Sequence, residues 1–162
     1  MRVIWNILKN LMIVCLVLIL SFNIYSLYQR NVKHERFPMA FGYGYAVIAS
    51  GSMEPALSWG DLVVVQKQAH YQKDQVITFI QEGDSRTTTH RIIEETENQF
   101  VTQGDANNTE DPPIVSKQIF GKVVLAIPLV GYGVRFVGSP LGMLLVIGLF
   151  LVMFYFDSRK KD

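Results

Sequence analysis

The sequence predicts a mainly β protein, a small antiparallel β domain set between two transmembrane helices. Three observations carry that expectation. The long apolar runs lie at the two ends, Leu11 to Leu20 and Phe136 to Phe156. Between residues 38 and 128 no helical apolar period of useful length occurs. In that interval short β-branched segments alternate with clusters of glycine, proline, asparagine and aspartate, the pattern of short strands joined by turns. At 162 residues the chain has room for one modest domain. Its 49% hydrophobic content against 18% charged residues is high for a soluble protein, and the excess sits at the ends.

The first apolar run, extended by residues 21–28, reaches the roughly 20 residues that cross a bilayer as a helix. A cleaved leader would need small residues at −3 and −1 after the apolar core. Ser21-Phe22-Asn23-Ile24-Tyr25-Ser26 supplies no such pair, so residues 1–30 are expected to form an uncleaved anchor. Residues 31–135 are expected to be the β domain, 136–157 a second membrane helix and 158–162 a basic tail. Two spans put both ends on one side of the membrane. Arg2, Lys9, Arg159, Lys160 and Lys161 favour the cytoplasm for those ends; Arg30, Lys33 and Arg36 vote against, but they open a long loop, where the charge rule is weak. The β domain is therefore expected outside the cytoplasm.

Within that domain, Phe37 to Tyr45 is rich in aromatics and glycine, fit for core packing or for an apolar lip at the headgroups. Tyr45–Ala49 reads as a strand running into the turn Ser50-Gly51-Ser52-Met53-Glu54-Pro55, where Gly51 permits a sharp bend and Pro55 stops a ladder. Strands are expected at 62–66, 76–80, 87–93, 100–102 and 119–127, and the interval 104–113 is dense in turn formers. Residues 131–135 read as a link to the second apolar run.

Net charge is +1, without a basic stripe interleaved with aromatics, which argues against nucleic-acid binding. The single cysteine, Cys15, lies in the first apolar run and excludes a disulfide framework.

A strand-to-turn junction is a suitable base for an exposed nucleophile, and Ser52 occupies one. A serine needs a base within hydrogen-bond reach. Of the three histidines, His34 and His70 lie in polar segments, whereas His90 is flanked by β-branched residues on an expected strand. No second histidine or carboxylate stands at ligand spacing from His90, so neither metal nor cofactor is expected. Lys67, at the end of a buried strand, is the alternative base if burial lowers its pKa. A histidine base works better with an aspartate to hold its tautomer, and Asp105 and Asp111 both lie in the turn-rich loop beyond His90. Residues alone leave the choice between them open. A second class of function, a membrane-anchored β domain that binds a partner protein without chemistry, would make Ser52 dispensable.

Ser50-Gly51-Ser52-Met53-Glu54-Pro55, Thr89-His90-Arg91-Ile92 and Gly104-Asp105-Ala106-Asn107, in this order, resemble the conserved boxes of signal peptidase I. Gly60-Asp61-Leu62-Val63 and Gln75-Val76-Ile77-Thr78-Phe79 are similar too, so the resemblance covers about residues 45 to 130. Histidine where most bacterial members carry lysine makes the chain similar to the endoplasmic-reticulum-type branch, also found in archaea and some Gram-positive bacteria. The resemblance implies a serine endopeptidase with Ser52 as nucleophile, His90 as general base, Asp111 as third catalytic residue and Asp105 in support. It further implies oxyanion donors at the Ser52 N–H and the Ser50 hydroxyl. The substrate would be the signal peptide of an exported pre-protein, with small residues at −1 and −3 entering pockets lined by Ile48 and Met53. The bilayer would be the other partner, in a bacterial cell membrane rather than the endoplasmic reticulum, with accessory subunits left open.

Overall fold

In the computed structural model, residues 37–97 and 99–158 are described, together with 6, 7, 9–14, 17, 18, 21, 24, 25 and 28. Most of the expected N-terminal anchor, the linker at 29–36 with His34, Cys15 and the basic residues of the tail lie outside them. The chain divides into two compact units, Arg36–Val134 and Met1–Glu35 with Arg135–Asp162.

The first unit is one seven-stranded antiparallel sheet. Its strands are β1 (Met39–Ala40), β2 (Tyr43–Val47), β3 (Leu62–Gln66), β4 (Val76–Ile80), β5 (Thr87–Glu95), β6 (Phe100–Gln103) and β7 (Ile119–Ile127). Their order in the sheet is β1-β2-β3-β7-β4-β5-β6, with β7 crossing back between β3 and β4. The mainly β expectation holds, with local differences, among them that β5 and β6 run on to Glu95 and Gln103. β2 spans 43–47 rather than 45–49, and a two-residue β1 and a short 3-10 turn at Ser116–Gln118 carry no signal in the sequence.

β1 and β2 are joined by Phe41-Gly42, both at positive φ (53° and 80°), the backbone that matches strand twist in a two-residue hairpin. The aromatic segment is divided by this turn. Phe37 is buried and stacks on Phe120 at 4.8 Å, whereas Phe41 and Tyr43 point into the open. Gly44 is needed where it stands, because a Cβ there would lie 2.4 Å from the Phe37 ring.

Two apolar clusters pack against the sheet. One gathers Phe37, Ile48, Met53, Leu57, Val63 and Val65 under the Ser52 turn. The other gathers Tyr71, Ile77, Phe79, Ile92, Phe100, Ile114 and Ile119 beneath β4–β6. The pairing register sets the two clusters on opposite faces, since Gln66, Lys122 and Ile77 fall in one row across β3, β7 and β4 while Val65 points the other way. On β5 the row of Ile77 and Ile92 also holds His90.

Beyond β7 the structure departs from the expected link and single helix. Residues 130–138 are helical (α1, Val130–Gly138) and a second helix follows (α2, Pro140–Ser158). Pro140 has no N–H and disfavours a helical Ser139, so the helix stops and restarts there. Ser139 caps the restart, its Oγ accepting the Gly142 N–H at 3.0 Å. Among the described residues no single helix is long and apolar enough to cross a membrane. α1 with the first half of α2 reaches that measure only as a pair bent by 86°.

Phe79 is fully buried at the centre of the second cluster and its ring faces the His90 ring edge-on at 6.4 Å. Phe79→Ala is expected to lower unfolding free energy by about 3–5 kcal/mol, read from the denaturant midpoint of the solubilised chain.

Candidate active site

The Ser52 turn is fixed from below. Past the end of β2, Ile48 continues the ladder by donating to the Asp61 carbonyl (2.9 Å) and accepting from Gly60 N–H (3.0 Å). Met53, 1% exposed, plugs the core immediately after Ser52, and Leu57 N–H returns to the Met53 carbonyl at 2.9 Å. Apolar burial thus holds the residue next to Ser52 while Ser52 itself stays half-buried. The bend needs no glycine of its own. Gly51 has no positive φ, and a Cβ there would make only ordinary contact with Glu54 at 3.5 Å, which corrects the reason given for it above.

His90 is 7% exposed and pairs with Ile77 across β4–β5. Its Nε2 lies 3.0 Å from Ser52 Oγ and its Nδ1 lies 2.6 Å from Asp111 Oδ2. Ser50 Oγ lies 3.1 Å from Ser52 Oγ. Ser52, His90 and Asp111 therefore form one continuous chain of polar contacts, across 38 and 21 residues of sequence.

The Asp111 carboxylate is delivered by a closed loop. Phe100 and Ile114 exchange backbone hydrogen bonds (2.8 and 2.9 Å), and Asp111 N–H donates to the Thr102 carbonyl at 2.8 Å. Fully buried Thr102 also donates its hydroxyl to Asp111 Oδ2 at 2.7 Å.

Asp105 goes elsewhere. Arg91 Nε and Nη2 donate to its two oxygens at 2.8 and 2.7 Å, and Nη1 donates to the Asp74 carbonyl at 2.9 Å. This two-pronged pair, with the Asp105 hydrogen bond as the first cause, raises the Arg91 pKa further. It pins the 104–107 loop, whose Ala106 N–H donates to the Ser52 carbonyl at 2.9 Å. Gly104 is required by this approach, since a Cβ would sit 2.5 Å from the Ser52 carbonyl oxygen. Lys67, the alternative base, is exposed past the end of β3, beside the Gly42 turn, where its N–H donates to the Gly42 carbonyl. His70 is exposed too.

A cavity of about 330 Å³ opens over the serine. One wall is Ala46–Ser50 with Ser52 and Met53, the other Thr87–His90, and Asn107 closes an end. Ile48 and Met53 thus line it as well as filling the core. Thr87, Thr88 and Thr102 escaped the reading of the sequence, and Thr89 and Asn107 stood in its boxes without a role. Thr102 had a legible signal, since Phe100-x-Thr102 on a strand puts a hydroxyl in the inner row, where it must find a partner.

The Peptidase S24-like family pattern matches residues 31–124, more than half of the chain. The chain belongs to the Peptidase S24-like family. It is 38% identical over 88 residues to signal peptidase I W of Bacillus subtilis (strain 168), covering 50% of this chain and 46% of that protein. Against the signal peptidase complex catalytic subunit SEC11 of Colletotrichum graminicola the identity is 33% over 101 residues, with 53% and 59% covered. The SEC11 subunit of Metarhizium acridum gives 30% over 101 residues with the same coverage. This S24-like chain thus spans about half the length of the curated relatives it matches. Its similarity to signal peptidase I, read above from three boxes, is shown by these relatives.

Asp105→Asn keeps the shape of the Arg91 partner and removes its charge. It is expected to lower unfolding free energy by about 1 kcal/mol, because the pair is only partly shielded from water. The shift in denaturant midpoint, set against Arg91→Met alone and the double variant, measures the coupling.

Proposed function

We propose that this S24-like chain is a membrane-bound serine endopeptidase that removes N-terminal signal peptides from exported pre-proteins. The observation that carries the reading is the unbroken contact chain Ser52 Oγ, His90 Nε2, His90 Nδ1, Asp111 Oδ2. Asp111 accepts from Nδ1–H, which leaves Nε2 as the acceptor facing the serine hydroxyl. As Ser52 Oγ bonds to the carbonyl carbon of the last leader residue, its proton passes to Nε2. The oxyanion is met by the Ser52 N–H and the Ser50 hydroxyl, contacts that strengthen as charge develops. The imidazolium then gives its proton to the leaving amine, the C–N bond breaks, and a water activated by the same imidazole hydrolyses the acyl-enzyme.

The form of the cavity supports an extended substrate. Ala46–Ala49 are bonded to β3 and its extension on one side, and no named strand pairs with Thr87–His90 opposite β4. A peptide laid between these edges would add as a strand. Ile48 and Met53 on one wall suit small side chains at −1 and −3. Anchoring by the terminal apolar segments, with the β domain outside the cytoplasm, would bring the site to the bilayer that holds the leader. Asp105 serves as a supporting residue through Arg91.

Solubilised full-length chain, incubated with a pre-protein, is expected to yield a new N-terminus after a small residue, identified by sequencing. Ser52→Ala and His90→Ala are each expected to reduce the rate by about a thousandfold or more, and Lys67→Ala to leave it near wild type. Cleavage is expected to fall on acidification, since an imidazolium cannot accept the serine proton. Cleavage that survives Ser52→Ala would return the chain to the partner-binding class. Loss on Lys67→Ala with His90→Ala active would replace the histidine base by lysine.

A further inference from the structure

We propose that Thr102 is a positioning residue for the base. It clamps Asp111 by a side-chain and a backbone hydrogen bond, so that one carboxylate oxygen is held against His90 Nδ1. The inference rests on the proteolytic reading above and extends it to a residue outside the three boxes.

Thr102 lies on β6 opposite Ile92, in the inner row that also holds His90 two residues earlier on β5. It is fully buried, so its hydroxyl has no water to donate to. That hydroxyl donates to Asp111 Oδ2 at 2.7 Å, the same oxygen that His90 Nδ1 approaches at 2.6 Å. The Thr102 carbonyl meanwhile accepts the Asp111 N–H at 2.8 Å. Asp111 is thus gripped at both backbone and side chain by one residue of a regular strand. Neither grip touches the cavity, whose walls are the Ser52 turn, the start of β5 and Asn107.

Two donors on one oxygen define a single orientation. A carboxylate free to turn about its terminal torsion would exchange Oδ1 for Oδ2 or swing away from the imidazole. With Oδ2 accepting from Thr102 and Nδ1–H together, the carboxylate orientation and the Nδ1–H tautomer are selected as a set. Thr102 touches no substrate, so its loss should act on the rate of the bound complex rather than on binding.

The test compares Thr102→Val, which keeps shape and loses the donor, with Thr102→Ser, which keeps the donor. In the solubilised chain, Thr102→Val is expected to lower kcat by tens of fold, up to about a hundredfold, with KM unchanged. Thr102→Ser is expected to stay close to wild type. A second readout is the His90 Nδ1–H proton resonance, expected far downfield in wild type and in Thr102→Ser, and moved upfield in Thr102→Val. Wild-type kcat and resonance in Thr102→Val overturn the proposal. So does equal impairment of both variants, which marks Thr102 as packing alone. Should wild type cleave no pre-protein, the proteolytic reading fails, while the resonance still decides what Thr102 does to Asp111 and His90.

Discussion

A buried imidazole has two ring nitrogens to satisfy and little water to satisfy them with, and the arrangement around the candidate site follows from that requirement. Burying a polar group without a partner costs on the order of a few kcal/mol. His90 stands in a row of inward residues on β5, between Ile92 along the strand and Ile77 across it. Its position is tolerable because two separate loops each bring an oxygen to one of its nitrogens. Ser52 arrives from the turn after β2 and Asp111 from the loop after β6. The same contacts that relieve a buried side chain also align a hydroxyl, an imidazole and a carboxylate.

Those loops are themselves held by ordinary packing and pairing rather than by the polar contacts they present. Met53 is a core residue, and its neighbour Ser52 has little freedom once that side chain is seated. Phe100 and Ile114 belong to the other apolar cluster and close the 100–114 segment by reciprocal backbone bonds. Arg91 and Asp105 fix the 104–107 loop within that segment from the face of β5 opposite His90. Of these groups Met53 alone also lines the cavity, so the site is preorganised mainly from outside it, which is what keeps a charged or polar constellation in one geometry.

The sheet leaves two strand edges facing a common cavity, an arrangement that soluble β proteins normally blunt or cover. Here small and threonine side chains border it. Such an edge invites an extended chain, and it lies directly over the serine. The C-terminal apolar run is organised differently from its composition. Pro140 divides it, and Ser139 turns an expected interior position into a cap.

The sequence alone determined the class of the domain, because period-two alternation and turn residues are local properties that survive in almost any context. It also determined Ser52 and His90 as candidates, since one sits at a strand-to-turn junction and the other on an inward strand position. It named the family through three short boxes. It did not determine which aspartate meets the histidine. Asp105 and Asp111 are six residues apart in one turn-rich loop, and nothing local distinguishes them. The choice is made by β6 and its pairing with Ile114, which returns the chain so that Asp111 N–H finds the Thr102 carbonyl while Asp105 faces Arg91. Lys67 was excluded as a neighbour of the serine in the same way, by where β3 ends in the sheet. Long-range pairing, not local preference, sets distances between residues dozens of positions apart, and only the folded sheet contains it.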